Sequence, residues 1–314
     1  MKFPLCLLGL LSVLAIGCSR FAPEETIRRG RIRLDDSTSL YYETCGAGTP
    51  VLLLHGHSLD RRMWDEQFTA FARAGHQVVR LDFRGYGNSS LPVEGQQFTH
   101  MDDLVALMDT LHIGRAHLVG LSMGGFIGAD MVAMHPERVR SATLVSGNLR
   151  KSPGPSTPMT AEEEIRRERE IETLRMRGVE RMKQEWFESL MRSGGSQRER
   201  MREPLWQMIA EWSAWQPLHK ESRVIVGLDA LAALRDHGSD VPTLLIEGRS
   251  EHNRFNPHPE FMNYLTDCRH VIIDDCGHML SMERPDEFNR IVLAFISGVD
   301  AGLRSCLKFS YNEI

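Results

Sequence analysis

The stretch that decides the fold runs from Leu118 to Gly125 and reads LVGLSMGG. An apolar strand leads straight into Gly-x-Ser-x-Gly, and the residues from Gly125 to His135 are typical of a following helix. A serine at this place sits on a tight strand-to-helix turn, where the flanking glycines are needed because side chains would clash. The turn lifts the hydroxyl clear of the backbone, and the helix N-terminus favours negative charge beside it. The pattern predicts that Ser122 is a nucleophile.

A candidate general base follows the apolar strand near the C-terminus, in the stretch Val271–Met279 (VIIDDCGHM). His278 comes just after that strand and before an amphipathic helix, Pro285–Ile296. A histidine beyond the C-terminal end of a strand lies on the rim where open α/β sheets keep their active sites. Its imidazole can take the Ser122 proton and return it to a leaving group. The alternative is a loop histidine bonded to backbone, but the chain order of serine, acid and histidine favours the base.

An oxyanion hole is predicted after an upstream strand, Pro50–Leu54, which ends in His-Gly-His. Acyl transfer needs two donors aimed at the oxygen that gains charge. The backbone N–H groups of His57 and Met123 are the candidates. The imidazoles of His55 and His57 are interpreted as structural, and His55 is expected to brace the loop through hydrogen bonds.

These motifs resemble the α/β-hydrolase fold superfamily, in its subgroup of small cap-bearing esterases, enol-lactonases, C–C-bond hydrolases and cofactor-free perhydrolases. The resemblance covers roughly residues 30 to 298 and implies an α/β fold, with a mostly parallel sheet, helices on both faces and an inserted helical cap. The segment Asp60–Trp64 is similar to the helix opening of the enol-lactonases. Four motifs carry the resemblance: LHGH at 54–57, DFRGYGNS at 82–89, GLSMG at 120–124, and GH at 277–278 with ERP at 283–285.

The acid departs from the family pattern, which places an aspartate after the next-to-last strand. Glu251 occupies that position here, after the strand Pro242–Gly248. A glutamate can orient and stabilise an imidazolium as an aspartate does. The alternatives are a solvated loop carboxylate at Glu251 and, as a competing base, His252. The preceding strand is followed by Ser-Gly-Asn at 146–148, which offers no carboxylate.

The loop Asp82–Ser89 has two interpretations. In the structural one, Asp82, Arg84 and the glycines fix the loop beside the nucleophile turn, and this one is favoured because the family motif is chiefly architectural. In the other, Arg84 is a substrate ligand.

Strands and helices alternate from Val51 to Val145 after an opening antiparallel hairpin, which predicts a parallel sheet covered on both faces. The alternation stops at Leu149, where a proline-rich linker precedes charged and aromatic helical segments that we interpret as a cap. Four of the five tryptophans fall there. They either pack cap helices together or, in one or two cases, form an apolar substrate pocket.

The expected divisions are a signal peptide at 1–17, a lipidated tether at 18–29, the hydrolase core at 30–149 and 236–300, the cap at 150–235 and a tail at 301–314.

The N-terminus predicts export and a membrane anchor. Lys2 precedes a short apolar run that ends at Gly17-Cys18-Ser19, as in a secretory signal. The run resembles a bacterial lipoprotein signal, which implies that Cys18 is lipidated and becomes the mature N-terminus; an ordinary cleaved signal is the alternative. Ser19 resembles the residue that sorts such proteins to the outer membrane, facing the periplasm.

The composition excludes several classes of function. With 37 basic and 42 acidic residues and a net charge of −5, the chain has no nucleic-acid footprint. No Cys–His cluster has metal-site spacing, so neither a metal nor a cofactor is expected.

Cys268 and Cys276 bracket a strand that would hold them roughly 25 Å apart, too far for a disulfide. A Cys268–Cys306 bridge, or none, is left open, and the oligomeric state is not determined.

The expected function is serine hydrolysis of small carboxylic esters or lactones. C–C-bond hydrolysis and cofactor-free perhydrolysis on the same residues are alternatives. A serine at the turn argues against the dehalogenase and epoxide hydrolase branches, which resemble this chain but use an aspartate there. A hypothesis of another class is a non-catalytic lipoprotein that binds a small ligand in the same cleft.

Overall fold

The computed structural model describes residues 26–147, 160–219, 230–251 and 260–303. They form an eight-stranded sheet in the order β1-β2-β4-β3-β5-β6-β7-β8. The strands are β1 (Arg28–Arg33), β2 (Ser39–Cys45), β3 (Pro50–Leu54), β4 (Gln77–Asp82), β5 (Ala116–Leu121), β6 (Val139–Val145), β7 (Thr243–Gly248) and β8 (Cys268–Ile273). The first two form the predicted antiparallel hairpin, and β2 also runs antiparallel to β4. The neighbours from β4 to β8 are all parallel, so their carboxyl ends share one edge of the sheet.

Helices cover both faces of this sheet, as the alternating pattern predicts. They are α1 (Asp65–Arg73), α2 (His100–Thr110), α3 (Met123–Met134), α4 (Ala161–Arg177), α5 (Val179–Ser193), α6 (Arg202–Glu211), α7 (Trp215–Leu218), α8 (Ala230–His237), α9 (Leu280–Glu283) and α10 (Pro285–Asp300). Leu52 and Leu54 of β3 lie in one apolar core with residues of α2, α3 and α8, whereas Val51 and Leu53 lie in a second core with α1 and α10. Successive strand residues alternate between the cores because their side chains point to opposite faces.

Two helix starts differ from the sequence expectation. The helix after the nucleophile turn begins at Met123 rather than Gly125, because Ser122 alone makes the turn out of β5. The expected helix opening, Asp60–Trp64, instead contains a separate 3₁₀ turn, Arg61–Trp64. The Asp60 side chain accepts the Arg62 N–H and starts that turn, so α1 begins only at Asp65.

Helices α4 to α7 lie between β6 and β7 in the chain, where the cap is predicted, and we call them the cap helices. The helix α4 begins with a capping box in which Thr160 and Glu163 satisfy each other's backbone N–H groups. The Lys183 ammonium of α5 donates to the Ala210 carbonyl of α6 at 2.8 Å, joining two cap helices. The predicted boundary between cap and core, at residue 235, falls inside α8, and this helix packs against α3 of the core. The division of the chain into domains stays a prediction.

The predicted N-terminal signal, Cys18 and Cys306 lie outside the described residues. Within residues 26–303, as far as they are described, no helix has the length and apolarity needed to cross a bilayer. Cys276 is a free buried thiol that donates to the Ile273 carbonyl at 3.4 Å, and burial raises its pKa to about 12. The expectation that it does not pair with Cys268 is therefore confirmed.

Candidate active site

Ser122 lies at the carboxyl end of β5, between that strand and α3. Its backbone has φ 52° and ψ −109°, a left-handed conformation that is strained for a serine. Two hydrogen bonds hold it there: the Ser122 N–H donates to the Val145 carbonyl of β6 at 2.7 Å, and the Phe126 N–H of α3 donates to the Ser122 carbonyl at 3.0 Å. The neighbouring strand and the following helix together maintain the strain, as expected of a nucleophile turn.

The two glycines of the Gly-x-Ser-x-Gly motif are required by close backbone packing. A Cβ atom on Gly120 would lie 2.2 Å from the Gly124 carbonyl oxygen, and one on Gly124 would lie 2.1 Å from the Leu54 carbonyl oxygen. The backbone at Gly120 thus packs directly against the backbone at Gly124, within the turn. The backbone at Gly124 packs against the end of β3, where the predicted oxyanion loop begins.

His278 and Glu251 form a buried pair at the same edge of the sheet. The His278 Nδ1 and the Glu251 Oε2 are 2.7 Å apart, and the two side chains are only 4% and 2% exposed. An ionised carboxylate only accepts hydrogen bonds, so Nδ1 carries the proton and the basic lone pair is on Nε2. The two loops are joined by the Ser250 N–H, which donates to the Cys276 carbonyl at 3.2 Å. The competing base His252 lies outside the described residues.

A second buried carboxylate, which the sequence reasoning gave no role, holds the histidine loop to the cap. Glu283 is fully buried and accepts the Gly277 N–H at 3.1 Å on one oxygen. Its other oxygen accepts the N–H of Gly195, in the turn after α5. Burial raises the pKa of Glu283, and the two N–H donors together with the nearby Arg284 charge oppose that rise. Gly277, the residue before His278, is thus held by a carboxylate of α9 that also binds the cap.

His55 braces the loop after β3, as predicted. Its ring is buried, with Nδ1 2.8 Å from the Gly56 carbonyl and Nε2 accepting the Phe83 N–H at 3.0 Å. Since Nε2 accepts, Nδ1 is the protonated nitrogen and donates to the carbonyl. Burial lowers the pKa of His55, which keeps the ring neutral and this pattern intact.

Tyr86 connects the side chains of the two residues whose N–H groups are the predicted oxyanion donors. Its hydroxyl lies 2.8 Å from the His57 Nδ1 and 3.4 Å from the Met123 sulfur. The ring is buried, which raises the pKa of Tyr86 well above its ordinary value and keeps the hydroxyl protonated. The sequence reasoning missed this residue, although its position inside the motif 82–89 was a signal.

Arg84 and Asp82 hold the loop together, as the structural interpretation predicts. Arg84 is buried and makes a bidentate salt bridge to Asp103 of α2, in which its Nε lies 2.8 Å from the carboxylate. Asp82 accepts the Arg61 guanidinium at 2.7 Å and the Asn88 N–H at 2.8 Å. Both charged groups therefore have protein partners.

Two cap tryptophans lie against the loop that carries His57. The Trp186 indole N–H of α5 donates to the Ser58 hydroxyl at 2.7 Å. Trp212, which ends α6, packs edge-on against the His57 ring with 4.8 Å between centroids. Trp206 instead packs on Phe187 inside the cap. The sequence could not tell these roles apart.

No group of three or more histidine, cysteine, aspartate or glutamate side chains suited to a metal ion occurs in the described part of the chain.

A sheet of this order, with a strained serine turn after its fifth strand, is the architecture of enzymes that cleave acyl bonds by a nucleophilic serine. Residues 51–291 match the model of the alpha/beta hydrolase family. The chain belongs to that family.

The individual relatives are named for different activities. The chain is 30% identical over 271 residues to a protein of Azorhizobium caulinodans provisionally named carbamate hydrolase RutD, covering 83% of this chain and 96% of the other. It is 29% identical over 284 residues to the 2-hydroxy-6-oxononadienedioate/2-hydroxy-6-oxononatrienedioate hydrolase of Burkholderia vietnamiensis, covering 84% and 93%. It is also similar to the structure of a thermophilic esterase from Thermogutta terrifontis, with a TM-score of 0.64, 27% identity and coverage of 87% and 99%.

Proposed function

We propose that the protein is a serine hydrolase that cleaves small carboxylic esters or lactones through an acyl-enzyme on Ser122. The observation that carries the proposal is the buried Glu251–His278 pair at the edge of the sheet where β5 ends in Ser122. An imidazole held by a buried carboxylate can take the proton of a serine hydroxyl as that hydroxyl attacks a carbonyl carbon. The resemblance to a solved esterase supports an ester substrate, and a lactone is a cyclic ester.

In the first half of the reaction, the Ser122 oxygen attacks the carbonyl carbon while its proton passes to the Nε2 of His278. The carbonyl π electrons move onto oxygen, and the backbone N–H groups of His57 and Met123 stabilise that negative charge. Glu251 stabilises the imidazolium and keeps its ring oriented. The intermediate then expels the alcohol, which takes the proton from His278 and leaves the acyl group on Ser122.

In the second half, His278 removes a proton from water as the water attacks the acyl carbon. The tetrahedral intermediate collapses, the bond to Ser122 breaks, and the serine oxygen recovers its proton from His278. The products are an acid and an alcohol, or one hydroxy acid from a lactone.

C–C-bond hydrolysis is the second candidate, because one relative that the chain matches over most of its length is named as a hydrolase of 2-hydroxy-6-oxo dienedioates. Perhydrolysis uses the same residues. A parallel assay of a simple ester, a vinylogous diketone and peroxide with acetate separates the three, since each reaction releases a different product.

The test of the nucleophile is labelling of the purified, full-length protein with a fluorophosphonate, followed by peptide mass spectrometry, with Ser122→Ala as the control variant. We expect a covalent adduct on the peptide that carries Ser122, and none in the variant. A folded wild-type protein without an adduct would overturn the serine-hydrolase proposal. Ligand binding without turnover would then favour the non-catalytic binding protein.

We further propose that Cys18 is lipidated and anchors the enzyme in a bacterial envelope, at the outer membrane facing the periplasm. The apolar run and small residues that end at Cys18 support this proposal. Fractionation of expressing cells tests it. The wild type is expected in the membrane fraction and Cys18→Ala outside it, whereas equal membrane association of both proteins would contradict lipidation.

A further inference from the structure

The loop that carries the predicted oxyanion donor His57 is linked to the cap by a chain of two hydrogen bonds. Trp186 Nε1 donates to Ser58 Oγ at 2.7 Å, and Ser58 Oγ donates to the His57 carbonyl at 2.5 Å. The hydroxyl has a single proton, and the His57 carbonyl can only accept it. Ser58 must therefore accept from the indole, so the chain has one direction, from the cap into the loop.

Ser58 itself is held in an unfavourable conformation. It is fully buried and has φ 63°, in the left-handed region. A serine there is less stable by about 1–2 kcal/mol than in the ordinary regions and persists only when its surroundings fix it. The two hydrogen bonds of its hydroxyl are such a constraint, and one of them comes from the cap.

The side chain of His57 is also constrained from two sides. Tyr86 of the core lies at its Nδ1, and Trp212 of the cap packs against its ring. The carbonyl of His57 accepts the Ser58 hydroxyl, so the peptide group between His57 and Ser58 is fixed. The His57 N–H belongs to the adjoining peptide group, on the other side of the His57 Cα. Since the side chain and the carbonyl on that Cα are both held, in part by cap residues, the orientation of the N–H depends on the cap as well as on the core.

We propose that Trp186 is a positioning residue that makes the oxyanion hole dependent on the closed cap. It acts through Ser58 and does not touch the reacting atoms. When the cap moves away, Ser58 loses its donor, the strained turn relaxes and the His57 N–H turns from the oxyanion. The catalytic part of this inference rests on the proposed serine-hydrolase function.

The test compares Trp186→Phe with the control Trp206→Phe. Both indoles are half-buried on neighbouring cap helices, and among the described residues the Trp206 indole makes no hydrogen bond. For Trp186→Phe we expect kcat to fall about tenfold, the effect of one neutral hydrogen bond, with KM almost unchanged. The inhibition constant of an arylboronic acid, which mimics the tetrahedral intermediate, should rise by the same factor. The pH profile of kcat/KM should not move, because the substitution touches neither member of the Glu251–His278 pair. Trp206→Phe should change none of these values.

Ser58→Gly provides a second route, because glycine adopts the left-handed conformation without strain and lacks the hydroxyl. We expect the same loss of kcat, and no additional loss when both changes are combined. Additive losses, or a Trp186→Phe enzyme within twofold of the control, would overturn the inference.

Hydrogen exchange of a peptide that spans residues 54–63 measures the coupling without using activity. Faster exchange in Trp186→Phe than in Trp206→Phe supports the link between cap and loop, and equal exchange overturns it. Failure of the proposed function has a different signature, since the wild-type protein would then show no fluorophosphonate adduct whatever the exchange result.

Discussion

Replacing Glu251 by glutamine removes the carboxylate that faces His278 and keeps the length and shape of the side chain. The pair is almost fully buried, with 2.7 Å between oxygen and nitrogen. In the proposed reaction His278 becomes an imidazolium, and two unit charges about 4 Å apart attract each other by about 4 kcal/mol at an effective dielectric constant of about 20. That energy corresponds to a loss in kcat of about a thousandfold. The amide can also donate to Nδ1 and so favour the wrong tautomer, which adds to the loss.

The assay is steady-state hydrolysis of a chromogenic ester, with Glu247→Gln as the matched control. Glu247 is also a buried glutamate of the same segment, on β7, and pairs with His270 of β8. Its replacement breaks a similar pair outside the proposed site. We expect Glu247→Gln to lower the free energy of unfolding but to leave kcat within about threefold, since its partner takes no part in the proposed proton transfers. Glu251→Asp should lie between the wild type and Glu251→Gln, because the shorter side chain cannot reach Nδ1 without backbone movement.

The reasoning is refuted if Glu251→Gln keeps more than about a third of the wild-type kcat, a loss of under 1 kcal/mol. An equal loss in both glutamine variants would instead attribute the effect to general destabilisation. Either result would remove Glu251 from the proposed mechanism.

Three further perturbations test the surroundings of the site. Glu283→Gln presents an NH₂ group to one of the two backbone N–H groups that the carboxylate now accepts, so we expect about 1–3 kcal/mol less stability in urea unfolding and a lower kcat, without a change in the fluorophosphonate-labelled residue. Burial lowers the pKa of His117 to about 4. Because the folded state resists protonation, the free energy of unfolding should fall by about 3 kcal/mol as the pH drops from about 6.5 to 4. His117→Asn should flatten that part of the stability curve, and an unchanged slope would contradict the assignment. Gly124→Ala places a methyl group 2.1 Å from the Leu54 carbonyl oxygen, so we expect a loss of about 1–3 kcal/mol and no labelling by fluorophosphonate. Normal labelling of a stable variant would show that the turn tolerates a side chain.

Tertiary packing determined what local patterns could not. The sequence placed four tryptophans in the cap, but it could not indicate that Trp186 donates to Ser58 and Trp212 contacts His57. These contacts join residues more than a hundred positions apart, and only the way the cap lies on the sheet brings them together. The contact between Glu283 and Gly195, which are 88 positions apart, also depends on tertiary packing, although the motif that contains Glu283 was recognised in the sequence.

The sequence alone determined the strand-turn-helix around Ser122, the parallel sheet and the order in which Glu251 and His278 follow. These features depend on local physics: the period of the apolar residues selects strand or helix, and glycine permits the close turn at the nucleophile. Only the tertiary structure decided that Glu251 and His278 form a buried pair and that the loop of His57 is held by the cap. Hydrogen bonds between distant segments depend on distances of a few tenths of an ångström, which the packing of the whole chain sets.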